Sequence, residues 1–136
     1  RVLGQTVDYQ SLNADGFAFE VQAQHLERIQ EVYEYVEANF QQEVTLDEVS
    51  RRVNMTVPAF CRYFKRLTGK TFTHFVNEVR VAQACQLLSD EHLSIAAVSY
   101  DSGFNNLSHF SRVFREHTGV SPSEYRTASQ MRRAVH

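Results

Sequence analysis

This chain of 136 residues has no tryptophan, two prolines, five glycines and two cysteines. Each scarcity excludes something. With so little Gly and Pro a disordered or low-complexity polymer is ruled out, and 43% hydrophobic against 22% charged residues describes a folded, mostly regular protein. No stretch approaches the roughly 18 apolar residues that span a bilayer, and no basic-then-apolar leader is present, so the expected compartment is the cytoplasm. Cys61 and Cys85 stand in no metal-type spacing to the histidines, and in a reducing compartment they are expected as free thiols. His74, His92, His109 and His117 are too dispersed to suggest a metal site, and His117 falls on the core stripe of its segment, where a packed or capping histidine is expected. There is no Gly-rich phosphate loop, nucleophile elbow or zinc-type spacing, so nothing calls for catalysis, a metal or a cofactor. The first residue is Arg1 rather than Met, which suggests a piece of a longer protein.

Charge is present but unevenly placed. The net of −2 conceals a first block, residues 1–50, at −8 and a second, residues 51–80, at +6. Residues 81–104 carry −3 and residues 105–136 return to +3. Two separated basic blocks suit a polyanionic partner better than the average does. Each basic block contains one copy of a repeat.

The stretch FCRYFKRLTG from Phe60 recurs as FSRVFREHTG from Phe110. Upstream, Leu46, Val49, Ser50, Asn54 and Met55 match Ile95, Val98, Ser99, Gly103 and Phe104 at an offset of forty-nine. After one inserted residue Phe60, Arg62, Phe64, Lys65, Thr68 and Gly69 match Phe110, Arg112, Phe114, Arg115, Thr118 and Gly119. In each copy a small residue (Ser50, Ser99) permits close approach of two helices. Four residues later a residue tolerant of left-handed backbone (Asn54, Gly103) reverses the chain. That is the layout of a helix-turn-helix.

Local signals fix the remaining elements. Leu26, Ile29, Val32, Tyr33, Val36 and Phe40 form one apolar stripe of a first helix ending near Asn39, with Glu27, Glu31, Glu34 and Glu37 off it. Residues 1–25 show no sustained period and read as an extended arm. Thr45 with Glu48 is a capping box, Thr56 with Pro58 starts the next helix, and Ser121, Pro122 and Glu124 start a last one. Within the quoted stretch Phe60, Tyr63, Phe64 and Leu67 share the core face, while Pro58, Arg62 and Lys65 point away, flanked by Cys61 and Arg66. From Thr71 to about Ser89 a longer helix would span roughly 27 Å and act as a strut between the copies. The expected fold is all-α, with about seven helices, two helix-turn-helix units and a long central helix.

The tandem TLDEVSRRVNMTVPAFCRYFKRLTGKTFTHFVNEVRVAQACQLL and SIAAVSYDSGFNNLSHFSRVFREHTGVSPSEYR resembles the DNA-binding domain of the AraC/XylS transcription regulators. The likeness covers about residues 26–126, with a first unit at 45–69, a second at 94–119 and a C-terminal tail at 127–136. It implies a bacterial regulator, commonly an activator, whose partners are double-stranded DNA and RNA polymerase. It also implies a missing N-terminal effector or dimerisation domain, of which residues 1–25 would be the end and linker.

The twin outward arginines, Arg62 and Arg112, are the first candidates for base contacts, since an Arg fork can engage O6 and N7 of guanine. Pro58, Cys61, Ser108 and Ser111 share that face, and Asn106 and Leu107 at the second helix's start are possible additions. Lys65, Arg66 and Arg115, with the helix starts at Thr45 and Ser94, are candidates for phosphate contacts. Arg80 on the strut is open between DNA and an internal ion pair with a carboxylate. A second reading, a helical protein-interaction module without DNA, rests on the net acidity and the acidic first helix. A third has the hairpins duplicated only to enlarge the core.

Overall fold

The computed structural model describes residues 9–135, with side chains described for residues 23–134. The described residues form seven helices and no strand: α1 (Tyr9–Asn39), α2 (Leu46–Arg52), α3 (Val57–Thr68), α4 (Phe72–Leu87), α5 (Ile95–Asp101), α6 (Leu107–Thr118) and α7 (Pro122–Val135).

Short polar side chains start the inner helices. Thr45, Thr56, Thr71, Ser94 and Asn106 each stand in extended backbone and accept a hydrogen bond from the amide three residues on. Ser121 and Glu124 complete the reciprocal box: the Glu124 amide donates to Ser121 Oγ at 3.1 Å and the Ser121 amide to Glu124 Oε1 at 2.8 Å. Those bonds hold the Glu124 carboxyl below its ordinary range. The box expected at Thr45 forms only by half. Glu48 donates its amide to Thr45 Oγ1, but its carboxylate turns to Arg51 at 3.2 Å and Arg52 at 3.5 Å, where full charges outbid a backbone amide.

The duplication is visible atom by atom. Asn54 (φ 60°) and Gly103 (φ 101°) reverse the chain between the two short helices, as the matching positions required. Behind them the Met55 amide donates to Ser50 O and the Phe104 amide to Ser99 O, and both serines are buried. At the far ends Thr68 and Thr118 each donate Oγ1 back to the carbonyl four residues earlier, Phe64 and Phe114, at 2.8 and 2.9 Å.

Two cores result, and α4 lines both. The first gathers Ile29, Val32, Val36, Val49, Phe60, Tyr63, Phe64, Phe72 and Val76; the second gathers Val81, Ala84, Leu88, Val98, Phe104, Phe110, Val113 and Phe114. Aromatic edges repeat too: Phe72 meets Phe64 edge-on at 5.5 Å between centroids, and Tyr125 meets Phe114 edge-on at 5.6 Å. Thus α4 closes the first unit as α7 closes the second.

Other expectations also change. Residues 9–25, read as an extended arm, belong to the 31-residue α1, and residues 1–8 lie outside the described residues. The turn signal at Asn13–Gly16 costs at most about 1 kcal/mol per residue once a packed downstream segment has supplied the helix nucleus. Residues 127–135 of the expected tail are likewise helix, continuous in α7, and residue 136 lies outside the described residues. Leu26 and Leu67, placed on core stripes, are 60% and 47% exposed. Leu26 lies nearly one turn before Ile29, the first buried residue of α1 among the described side chains, and Leu67 lies in the last turn of α3, past the packed cluster. None of the described helices is long and apolar enough to cross a membrane.

Candidate nucleic-acid interface

The faces of α3 and α6 opposite the cores carry the candidate residues in matching register. On α3, Pro58, Arg62, Lys65 and Arg66 are exposed and Cys61 is half-buried. On α6, Leu107, Ser108, Arg112 and Arg115 are exposed and Ser111 is half-buried. Buried Phe60, Tyr63 and Phe64 fix the roll of α3, and buried Phe110, Val113 and Phe114 fix that of α6. The two arginines therefore project outward because the aromatic residues beside them project inward.

Each helix ends on a left-handed glycine, Gly69 or Gly119, with basic residues in its last turn: Lys65 and Arg66, or Arg115 and His117. Cations there suit the negative end of the helix dipole. Asn106 and the hydroxyls of Thr45 and Ser94 are engaged as helix caps. Asn106 Oδ1 accepts the His109 amide at 2.8 Å, so its side chain is anchored to the helix start rather than extended outward.

Arg80 is engaged inside the fold, with backbone carbonyls rather than the carboxylate that an ion pair would need. Its Nε donates to Phe40 O and its Nη2 to Gln42 O, both at 2.9 Å, tying the carbonyl end of α1 to the middle of α4. Burial lowers the guanidinium from its ordinary value. Arg126 repeats the arrangement on α7, with Nε to Leu88 O at 3.0 Å and Nη2 to Asp90 O at 3.1 Å at the end of α4. Sequence reading missed this pair, because the arginines sit one helical turn apart in the aligned copies. Gln41 Nε2 also donates to Asp101 O at 3.1 Å, joining the two units directly.

The histidines dispersed in sequence converge in part: the His74 and His117 rings lie 4.6 Å apart between α4 and α6. Burial, then the His74 ring, and Lys70 hold the His117 imidazole below its ordinary value, while Glu78 and Glu116 pull the other way. Among the described residues no group of three or more His, Cys, Asp or Glu is arranged to hold a metal ion. Cys61 and Cys85 are free thiols, and burial raises the Cys85 thiol above its ordinary value. His109 and Glu116 were also missed. Arg112 Nη2 contacts His109 Nδ1 at 2.9 Å and Nη1 donates to Glu116 Oε2 at 3.3 Å, a spacing of three and four residues legible in HFSRVFRE.

Twin capped hairpins, each with a basic outer helix seated on an aromatic core, define a helix-turn-helix DNA-binding domain. A profile of that domain, described as a helix-turn-helix domain, matches residues 49–128. The chain belongs to the AraC/XylS family of transcription regulators and has the fold of their C-terminal DNA-binding domain.

Among its relatives is the transcriptional activator RhaS of Mannheimia succiniciproducens. It is 31% identical over 100 residues, which cover 74% of this chain and 37% of RhaS. The melibiose operon regulatory protein of Escherichia coli K12 is 29% identical over 99 residues, 73% of this chain and 33% of that protein. The chain spans well under half the length of these two relatives. Among solved structures, the DNA-binding domain of AdpA in complex with a target DNA aligns with a TM-score of 0.72 at 28% identity, covering 77% of this chain and 95% of that one. A probable AraC family regulator from Rhodopseudomonas palustris aligns with a TM-score of 0.68 at 30% identity, covering 76% and 97%. These relatives are transcriptional regulators and not enzymes.

Proposed function

We propose that this domain serves a cytoplasmic transcription activator and inserts α3 and α6 into successive major grooves on one face of a DNA duplex. The carrying observation is the pairing of Arg62 with Arg112, exposed at the same register of twin helices whose opposite faces are packed. A strut of 16 residues, about 24 Å long, plus the width of the flanking helices suits the roughly 34 Å between grooves. In this reading Arg62 and Arg112 read guanine edges, with Pro58, Cys61, Ser108, Ser111 and Leu107 filling the same grooves and Asn106 at their margin. Lys65, Arg66 and Arg115 meet phosphates, joined by the backbone at the starts of α2 and α5 near Thr45 and Ser94. RNA polymerase and an N-terminal effector or dimerisation domain complete the regulator.

Selection of bound duplexes from a random pool tests the reading first, and a pool that yields no motif refutes it. Against the selected site Arg112→Ala is expected to lose about 1–3 kcal/mol of discrimination at one base position. Lys65→Ala should instead weaken all sequences alike and lower the salt slope by about one. Base preference unchanged in Arg112→Ala removes that residue from readout.

A further inference from the structure

The two reading arginines keep different company. Helix α3, VPAFCRYFKRLT, carries Arg62, Lys65 and Arg66 and no carboxylate. Helix α6, LSHFSRVFREHT, carries Arg112 and Arg115 but also Glu116. At the offset of fifty, His109 replaces Ala59 and Glu116 replaces Arg66, so both changes fall around the matched arginine. Arg112 is consequently held on two sides, by His109 Nδ1 at 2.9 Å and Glu116 Oε2 at 3.3 Å. Arg62 has no side-chain hydrogen bond or ion pair among the described residues, and its neighbour one turn on is the like-charged Arg66.

The clasp lies on the outer face. At about 100° per residue, Ser108, His109, Arg115 and Glu116 all fall within about 60° of Arg112, opposite the buried Phe110 and Phe114. A carboxylate there approaches phosphates with the wrong sign, and the guanidinium it holds is withheld from them. An exposed pair of this kind is weak, about two- to fivefold in an equilibrium, which is enough to bias but not to block. A guanine offers two acceptors to the same fork and replaces what Arg112 gives up; a lone phosphate or a base edge without paired acceptors does not.

We propose that Glu116, assisted by His109, is a specificity-determining residue that holds Arg112 off non-cognate DNA, so that α6 discriminates more sharply than the carboxylate-free α3. The inference rests on Arg112 reading bases. It assigns unlike stringency to helices that look like copies.

The test compares binding of the whole chain to its selected duplex and to a mixed-sequence duplex of equal length at fixed salt. Glu116→Gln is expected to tighten the mixed-sequence complex more than the selected one, lowering their ratio about two- to fivefold. In an Arg112→Ala background the same change should shift both complexes equally. Arg66→Glu, which writes the pattern of the second copy into the first, is expected to raise the ratio. A ratio unmoved by Glu116→Gln, moved equally without Arg112, or not raised by Arg66→Glu overturns the proposal while leaving DNA binding itself intact. Full base preference in Arg112→Ala alone overturns the readout beneath it. Urea midpoints of the variants, expected to stay near the parent with a small drop for Arg66→Glu at the end of α3, separate any loss of folding from loss of the clasp.

Discussion

Gly103→Ala is the sharpest probe of how the two units are joined. Gly103 has φ +101°, and a Cβ there would overlap the carbonyl oxygen of Phe40 and lie 3.0 Å from Arg80 Nε and 3.2 Å from the Cα of Gln41. Gly119 supplies the control: its φ is +88°, yet an added Cβ would meet nothing within 4 Å. Gly119→Ala therefore reports the conformational cost alone, about 1–2 kcal/mol. Gly103→Ala carries that cost and must also displace the Phe40 carbonyl, which removes the Arg80 hydrogen bond, worth about 1.5–3 kcal/mol for a charged donor. The expected loss is roughly 3–5 kcal/mol, a large share of the 5–15 kcal/mol that holds a small domain. Urea unfolding of both variants at one temperature, followed by circular dichroism, measures the difference. If Gly103→Ala falls within about 1 kcal/mol of Gly119→Ala, the steric argument is wrong.

Arg80→Met is expected to cost about 2–4 kcal/mol in the same assay, since two carbonyls at the end of α1 lose charged donors. Arg126→Met should behave alike on the second unit, and a loss under about 1 kcal/mol in both would mean water replaces the guanidinium freely. His117 titrates below its ordinary 6.5 in the folded chain, so the unfolded chain takes up the proton first. Stability should therefore fall as pH drops below about 6.5 and level off under the folded value. His117→Gln is expected to flatten that part of the pH profile relative to the parent; parallel profiles would refute the assignment.

Much of the scaffold could be read from residue types alone because its determinants are local. A hydroxyl or amide three residues ahead of the amide it caps, an Asn or Gly where the backbone turns left-handed, and a Phe on every fourth residue act over a single turn. Duplication then doubled the signal: Ser50 with Ser99 and Asn54 with Gly103 meant more as pairs than singly. What escaped was long in range or decided by competition. Arg80 finds its partners 40 and 38 residues back, and His74 meets His117 across 43, separations at which spacing carries no information. Glu48 had three possible partners within one turn, and only the fold decided among them. The outer faces were legible as basic and aligned, and so was the spacing of His109 and Glu116 about Arg112, but which of these pairs closes is decided by rotamers.

Since α4 is the last helix of one unit and the first of the next, the two are less like separate modules than like links sharing a pin. Its phase is a gear setting: one residue inserted between Val79 and Ala82 would rotate everything beyond it by about 100° and lengthen the separation by only about 1.5 Å. A chain built this way tolerates new side chains on its outer helices far more readily than a change of length in the middle. Variation in what is read can accumulate while the angle of reading stays locked.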